Sequence, residues 1–371
     1  MRLAPFLLDQ WLEQKFSADP PIEYDLGAST GPVWTLRELL ALEQGDTLAR
    51  LLDMPVSYTP ATGTDELRTE IAQMHGVEPA DVQVVTGGAE ALLILFHHAA
   101  APGSNVVLPH PGFPWNEAMA KSFGIEVRPY HLRAENQFRI ELDEIRDLVD
   151  GNTRFVLVNS PHNPTGSVLS DSEMEALHDF CADRGTGFVS DEVYHPIYHG
   201  SASKSAARLE RATVLGDFSK ALCLSGLRMG WLIDRNAARM EAFKNARSYF
   251  TVSSSPLSEA LASIAIRHRG AIYARAQSIS GANLALLDQL FAECKGVLNW
   301  VRPAGGMTAF PWLADGGDGR EFCRQIARQG VLLAPGDCYG MAPHFRIGFA
   351  ASGDGFAKAL ERFATIVCAL R

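Results

Sequence analysis

Seven short runs of β-branched and aliphatic residues recur along the middle of the chain: Asp81 to Thr86, Asn105 to Leu108, Glu126 to Tyr130, Arg154 to Asn159, Gly187 to Asp191, Ala212 to Leu215 and Gly230 to Ile233. Helical stretches, beginning with TDELRTEIAQMHG before the first run, separate most of them. Strands divided by crossover helices run parallel, so the pattern predicts an α/β fold with one large, mostly parallel seven-stranded sheet. After Ser258 a helical stretch to about Cys294 leads into a tail that reads strand, strand, helix, strand, strand, helix, an order suited to a smaller α+β domain. The N-terminal helix and the segment to about Leu42 are expected to pack with that tail. The resulting division is a large domain over 44–269 and a small one from 1–43 with 270–371, with no repeat, low-complexity tract or flexible linker between them.

Composition narrows the function. The 371 residues carry a formal net charge of -10, with 47% hydrophobic and 20% charged residues, an ordinary globular balance. No basic stretch offsets the acidity, which argues against nucleic acid and against an anionic membrane surface as partners. No apolar run approaches the roughly 20 residues needed to span a bilayer, and the opening MRLAPFLLDQWLEQKF carries charges within its apolar pattern. The six cysteines, Cys181, Cys223, Cys294, Cys323, Cys338 and Cys368, form no CxxC pair and no metal-ligand spacing. A cytoplasmic protein with reduced thiols, no metal and a small-molecule site is expected.

The chemistry-bearing residues sit just after the predicted strands, where open α/β sheets place their ligands. Thr86-Gly87-Gly88-Ala89-Glu90 passes from a strand through a small-residue turn into a helix, which presents free N–H groups and the positive helix end to an anion such as a phosphate. Taken alone, Gly-Gly before a helix is as often a packing device. The segment matches neither GxGxxG nor GxxxxGK[ST], which lowers nicotinamide and nucleoside triphosphate readings. Phe113, in the proline-stiffened PHPGFPW, is either a core aromatic in a turn or a flat ring that stacks on a planar cofactor. The loop NSPHNPTG fixes His162 and Asn163 in set directions. Asp191 ends the strand GFVSD, where a buried carboxylate needs a positive partner or donors, and Tyr194 follows it.

One strand later, Gly216-Asp217-Phe218-Ser219-Lys220 places a lysine among small residues, with Arg228 eight positions on. A lysine beside apolar or cationic groups loses its proton more easily and becomes an amine nucleophile toward a carbonyl. Ser201-Ala-Ser-Lys204 also satisfies an SxxK pattern, but it lacks the companion SDN and KTG elements and reads as chance. His195 and His199, which follow the strand end at Asp191, read as loop histidines rather than ligands.

Together TGGAEAL, PGFPW, NSPHNPTG, SDEVY, GDFSK with GLRMGW, GGMTAF and FRIGF occur in the order and spacing of the class I/II aminotransferases, and the chain resembles that family over nearly its whole length. The family comprises aspartate-aminotransferase-like, pyridoxal-phosphate-dependent enzymes of fold type I. The resemblance implies pyridoxal 5'-phosphate as cofactor, with Lys220 forming the internal aldimine and then moving the substrate proton, and Asp191 pairing with the pyridine nitrogen. It further implies that Asn163 and Tyr194 bond the ring oxygen, that Phe113 stacks on the ring, and that Gly88, Ala89, Ser219 and Arg228 hold the phosphate. Arg346, in HFRIGF, would bind the substrate carboxylate, with Asn163 and Gly27 as further substrate contacts.

Tyr58 would reach the phosphate of a neighbouring subunit, which implies a homodimer. The implied reaction is ping-pong transfer of an amino group from an L-amino acid to a 2-oxo acid. Other pyridoxal-phosphate chemistry remains an alternative: β-elimination, decarboxylation, or cyclisation like that of capreomycidine synthase, whose relatives share the flavour of PFLLDQWLEQKF followed by YDLGASTG. A noncatalytic binding module, as in certain transcription regulators, would need an appended basic DNA-binding domain. Two positions depart from the family pattern. Asp217 stands where many relatives carry a small hydroxyl residue near the phosphate, so it is expected to turn away or to meet a cation. A confident equivalent of the partner-subunit arginine of dicarboxylate-specific members is missing, although Arg247 lies in the right region.

Overall fold

The computed structural model describes residues 3–351 and 354–368; Met1, Arg2 and the side chain of Cys368 lie outside the described residues. All seven predicted runs form strands of one sheet, with the spatial order Val82–Val85, Gly230–Ile233, Ala212–Asp217, Gly187–Asp191, Thr153–Asn159, Asn105–His110, Glu126–His131. Only Gly230–Ile233 runs antiparallel to its neighbours. The remaining pairs are parallel. Thr153–Asn159 is an almost unbroken buried run because helices cover both faces of the sheet. One face packs against Asp65–His75, Asp171–Arg184 and Pro256–Arg267. The other packs against Gly87–Ala99, Pro114–Ser122 and Ala237–Phe250.

Connection order and register place the site. From Asn105–His110 the chain moves outward to the edge strand Glu126–His131, then returns to Thr153–Asn159 and proceeds the other way across the sheet. This reversal leaves a crevice beyond the carboxyl ends of Asn105–His110 and Thr153–Asn159, the loops that carry Phe113 and Asn163. Asn159 pairs with Asp191, and Asp191 with Leu215, so the loops after three consecutive strands begin at nearly one level.

A second apolar core gathers Leu284, Leu287, Phe291, Phe322, Ile347 and Phe363 with Trp11 and Leu26 from the N-terminal segment. Trp11 Nε1 donates to Leu333 O at 2.6 Å, and Tyr24–Asp25 pairs with Val331–Leu332. Leu39, by contrast, belongs to the core of the large sheet, with Leu42 packed against it. A small cluster of Tyr194, Ile197, Ala221, Met307 and Ala350 joins the loops of the sheet to the tail.

The tail differs from its expected pattern. Three short strands precede its helix and three follow it: Leu298–Asn299, Thr308–Ala309 and Trp312–Leu313, then Gly319–Ala327, then Val331–Leu332, Ala334–Pro335 and Phe345–Gly348. Five of the six are two residues long, too short to produce an alternating pattern in sequence. The expected single helix after Ser258 is two, Pro256–Arg267 and Arg269–Glu293, separated at His268.

Leu157 is fully buried in the central strand Thr153–Asn159. Leu157→Ala is expected to lower the unfolding free energy by about 2–5 kcal/mol, the range for leucine deletion in a rigid core. Urea unfolding checks this through a lower midpoint at unchanged slope.

Candidate active site

The anion cradle begins where Val82–Val85 ends. Gly87 adopts φ +77 and starts the helix Gly87–Ala99, whose first N–H groups face outward from the sheet. A Cβ on Gly87 would lie 2.7 Å from Arg228 Nη2, and one on Gly88 would lie 3.4 Å from Asp217 Oδ2, so both side chains close on this turn. Arg228 is aimed there by its own left-handed backbone, φ 51, after the turn Ser225–Leu227, and its Nη1 donates to Ser225 O at 3.2 Å. Gly230 permits the approach, since a Cβ there would stand 2.9 Å from both Gly87 C and Gly216 O.

Lys220 follows the strand Ala212–Asp217 and is partly buried. Its Nζ donates to Ser29 Oγ at 3.0 Å and lies 6.0 Å from the centre of the Tyr194 ring. Burial lowers the amine to about 8, assisted by the Arg346 and Arg228 charges and opposed by Asp217 and Asp191. The carboxyl of Asp191, 7% exposed, moves the other way. Burial raises it to about 7, with Asp217 and Glu192 adding to the rise, while the Val193 N–H, 3.2 Å from Oδ1, and Lys220 oppose it. A buried carboxyl held at so high a value lacks a cation of its own, and a protonated ring nitrogen supplies one. Tyr194 donates to Ser29 O at 3.1 Å, and burial pushes its phenol up to about 12.

Arg346 is 1% exposed and draws two further predicted residues together. Nη1 donates to Asn163 Oδ1 at 3.1 Å and Nη2 to Gly27 O, while the guanidinium lies 5.5 Å from the Tyr339 ring centre. Its Nε has no partner among the described residues. Asn163 is oriented through Asn159, which accepts from Asn163 N at 2.7 Å and donates to Asp191 O at 3.0 Å. His162 turns inward to Thr165 Oγ1, 2.8 Å away, and burial pushes its imidazole down to about 3, which keeps it neutral.

Other expected residues stand apart. Phe113 caps the helix Pro114–Ser122 and packs edge-on against Phe6 at 6.0 Å, sharing a crevice with Tyr339. Tyr58 is 85% exposed, and Ala89 and Arg228 are also exposed. Asp217 does not turn away: it faces the cradle, accepts from Ser219 N at 2.9 Å, and lies in the field of Lys220 and Arg228. Arg247 is unavailable to substrate. It is fully buried, bonded to Ala61 O and Ser254 Oγ, with Nε 3.6 Å from Glu90. His195 and His199 are loop residues bonded to Tyr198 OH at 2.7 Å and Gly306 O at 2.9 Å. Ser201 and Lys204 line different pockets.

Ser29, missed in the sequence, ties the lysine to the phenol; its signal was the small-residue run Gly27-Ala28-Ser29-Thr30-Gly31. The donor set fits pyridoxal phosphate: an anion cradle, a buried carboxyl raised by burial, an amine lowered by burial, and a guanidinium whose Nε has no partner among the described residues.

The aminotransferase class I and II family model matches residues 41–363. The chain belongs to that family. It is 31% identical to capreomycidine synthase of Streptomyces vinaceus over 92% of this chain and 88% of that protein. An arginine–pyruvate transaminase of Pseudomonas aeruginosa is 28% identical, with 83% of this chain and 81% of that protein covered. The crystal structure of a PLP-dependent aminotransferase from Streptococcus suis superposes with a TM-score of 0.93 at 26% identity, covering 100% of this chain and 99% of that one. These comparisons support the fold, and the family's membership supports a pyridoxal-phosphate enzyme.

Asp191 provides a linkage test. Its folded value, about 7, lies above the ordinary 3.8, so between those values the folded protein binds the proton more tightly than the unfolded one and loses stability as pH rises. In the cofactor-free protein, Asp191→Asn is expected to remove that decline and to be more stable than wild type at pH 8, as measured by urea unfolding at pH 5 and pH 8.

Proposed function

We propose that this protein is a pyridoxal-phosphate-dependent aminotransferase that moves an amino group from an L-amino acid to a 2-oxo acid in two half-reactions. The observation that carries the reading is Lys220, bonded to Ser29 and beside the Tyr194 ring, its amine lowered by burial within the fields of Asp191 and the buried Arg346. Pyridoxal phosphate supplies an aldehyde and an electron-withdrawing ring that stabilises a carbanion at the substrate α-carbon.

The residues divide the remaining work. Lys220 Nζ, lowered by burial to about 8, keeps a larger uncharged fraction near neutral pH than an ordinary lysine and would serve as the nucleophile for the aldehyde and as the base for the α-proton. Asp191, in its ionised form, holds a proton on the pyridine nitrogen. Backbone N–H groups at Gly88 and Ala89, with Ser219 and Arg228, bind the phosphate. Asn163 and Tyr194 orient the ring oxygen, and Phe113 forms a wall beside it. Arg346 binds the substrate carboxylate with its fork of donors, exchanging its present bonds to Asn163 and Gly27 for stronger charged ones.

A homodimer completes the site in this reading. Tyr58 and its neighbours Val56, Leu52 and Leu48 are exposed, as are Tyr249, Val252 and Leu257. The two segments are tied together by Thr59 Oγ1, which donates to Ser254 O at 3.2 Å. Exposed apolar groups gathered in this way suit burial against a second copy, with Tyr58 reaching the copy's phosphate. A cytoplasmic location is supported by five buried cysteines that form no disulfide among the described residues.

A second reading, cyclisation or elimination on an amino acid, is favoured by the 31% identity to capreomycidine synthase. The two part on the need for an acceptor. Transamination predicts that an L-amino acid bleaches the visible band of the holoenzyme and that a 2-oxo acid restores it. Product release without an oxo acid would establish the second reading instead. Lys220→Ala is expected to lose the visible band and all turnover. Tyr58→Phe is expected to remain dimeric by sedimentation while cofactor affinity falls about 10- to 150-fold, since a hydrogen bond to a charged group contributes about 1.5–3 kcal/mol.

A further inference from the structure

Asp217 is 7% exposed and ends the strand Ala212–Asp217, opposite Gly230. One carboxyl oxygen is held by Ser219 N, while the other stands at the start of the helix Gly87–Ala99, beside Gly88. A carboxylate therefore already occupies the flank of the cradle in which the pyridoxal-phosphate reading puts a phosphate. A phosphate bound in the cradle would share this flank with the carboxylate, and two anions brought together away from water repel strongly.

Every element packed around Asp217 bears on its charge. The loop after its own strand contributes Lys220 and Ser219, and the turn before Gly230–Ile233 contributes Arg228. The strand Gly187–Asp191 and the loop beyond it contribute Asp191 and Tyr194, each raised in part by the Asp217 charge. The helix Gly87–Ala99 contributes its positive end; Glu90 on its first turn is engaged by Thr86 N, Thr251 Oγ1 and Arg247. Burial is the leading influence and pushes the Asp217 carboxyl upward, against the pull of Lys220, Ser219 and Arg228.

We propose that Asp217 couples phosphate binding to the uptake of one proton: it serves as the cradle's resident anion when no phosphate is present, and becomes a neutral hydrogen-bond donor when a phosphate enters. The inference rests on the pyridoxal-phosphate reading of the site. One proton moves from solvent to Asp217 Oδ2, and the new O–H donates to a phosphate oxygen; no other bond forms or breaks. A serine in this position donates without changing charge, so the aspartate makes cofactor retention sensitive to pH where a hydroxyl does not.

The test uses the full-length cofactor-free protein as wild type, Asp217→Asn and Asp217→Ser, with inorganic phosphate as the probe because it does not engage Asp191. Calorimetric titration in two buffers of different ionisation enthalpy counts protons taken up on binding. Thermal unfolding with and without phosphate establishes that each substituted protein is folded. Wild type is expected to take up about one more proton per phosphate than either of them. Once Asp217 ionises, its affinity is also expected to fall about tenfold per pH unit relative to theirs. Equal proton counts in all three proteins would overturn the proposal while leaving the cofactor reading intact. If the wild type bound neither phosphate nor pyridoxal phosphate, both would be overturned.

Discussion

The site depends on the withdrawal of opposite charges from water at the carboxyl ends of adjacent parallel strands. Lys220, Asp191, Asp217 and Arg346 are each costly to bury alone. Burial moves the Lys220 amine and the Asp191 carboxyl toward neutrality, tempered by their mutual fields, leaving the amine at about 8 and the carboxyl at about 7. Neither group is fixed in one protonation state near neutral pH, and proton transfer requires that freedom. The sheet register supplies the geometry: Asn159 faces Asp191, and its side chain fixes both the Asp191 carbonyl and the backbone of Asn163.

The tail of the chain acts through the same charges. Arg346 comes from a short strand near the C-terminus, yet its guanidinium reaches Asn163 on the large sheet and Gly27 from the N-terminal segment. Its positive charge also lowers the Lys220 amine. Arg346 and Lys220 are thus coupled electrostatically. Ser29 adds a mechanical link, bonded to both Lys220 and Tyr194.

Much of this was legible in the sequence because buried parallel strands read as unbroken apolar runs, and the residues with chemistry follow them directly. Most strands of the sheet were found for that reason; the exceptions are the antiparallel Gly230–Ile233 and the largely unburied edge strand Glu126–His131. The tail was harder, since two-residue strands such as Thr308–Ala309 leave no periodic trace and the break at His268 carries neither proline nor glycine. Arg247 illustrates a different limit. In sequence it stands in the region of the partner-subunit arginine of dicarboxylate-specific members, and only the fold brings Glu90, Ala61 and Ser254 around it. The direction of Asp217 was equally hidden, because the choice between facing a cation and turning away depends on where Arg228 and the helix start come together.

The central claim is that Lys220 is the residue to which pyridoxal phosphate attaches. Reduction of the holoenzyme with borohydride, followed by proteolysis and mass spectrometry, tests it directly by fixing the cofactor to whichever lysine holds it. The account predicts that the cofactor mass appears on the peptide containing Gly216 to Lys220 and is absent from the Lys220→Ala protein. Label on another lysine, or no label in protein incubated with the cofactor, would contradict it.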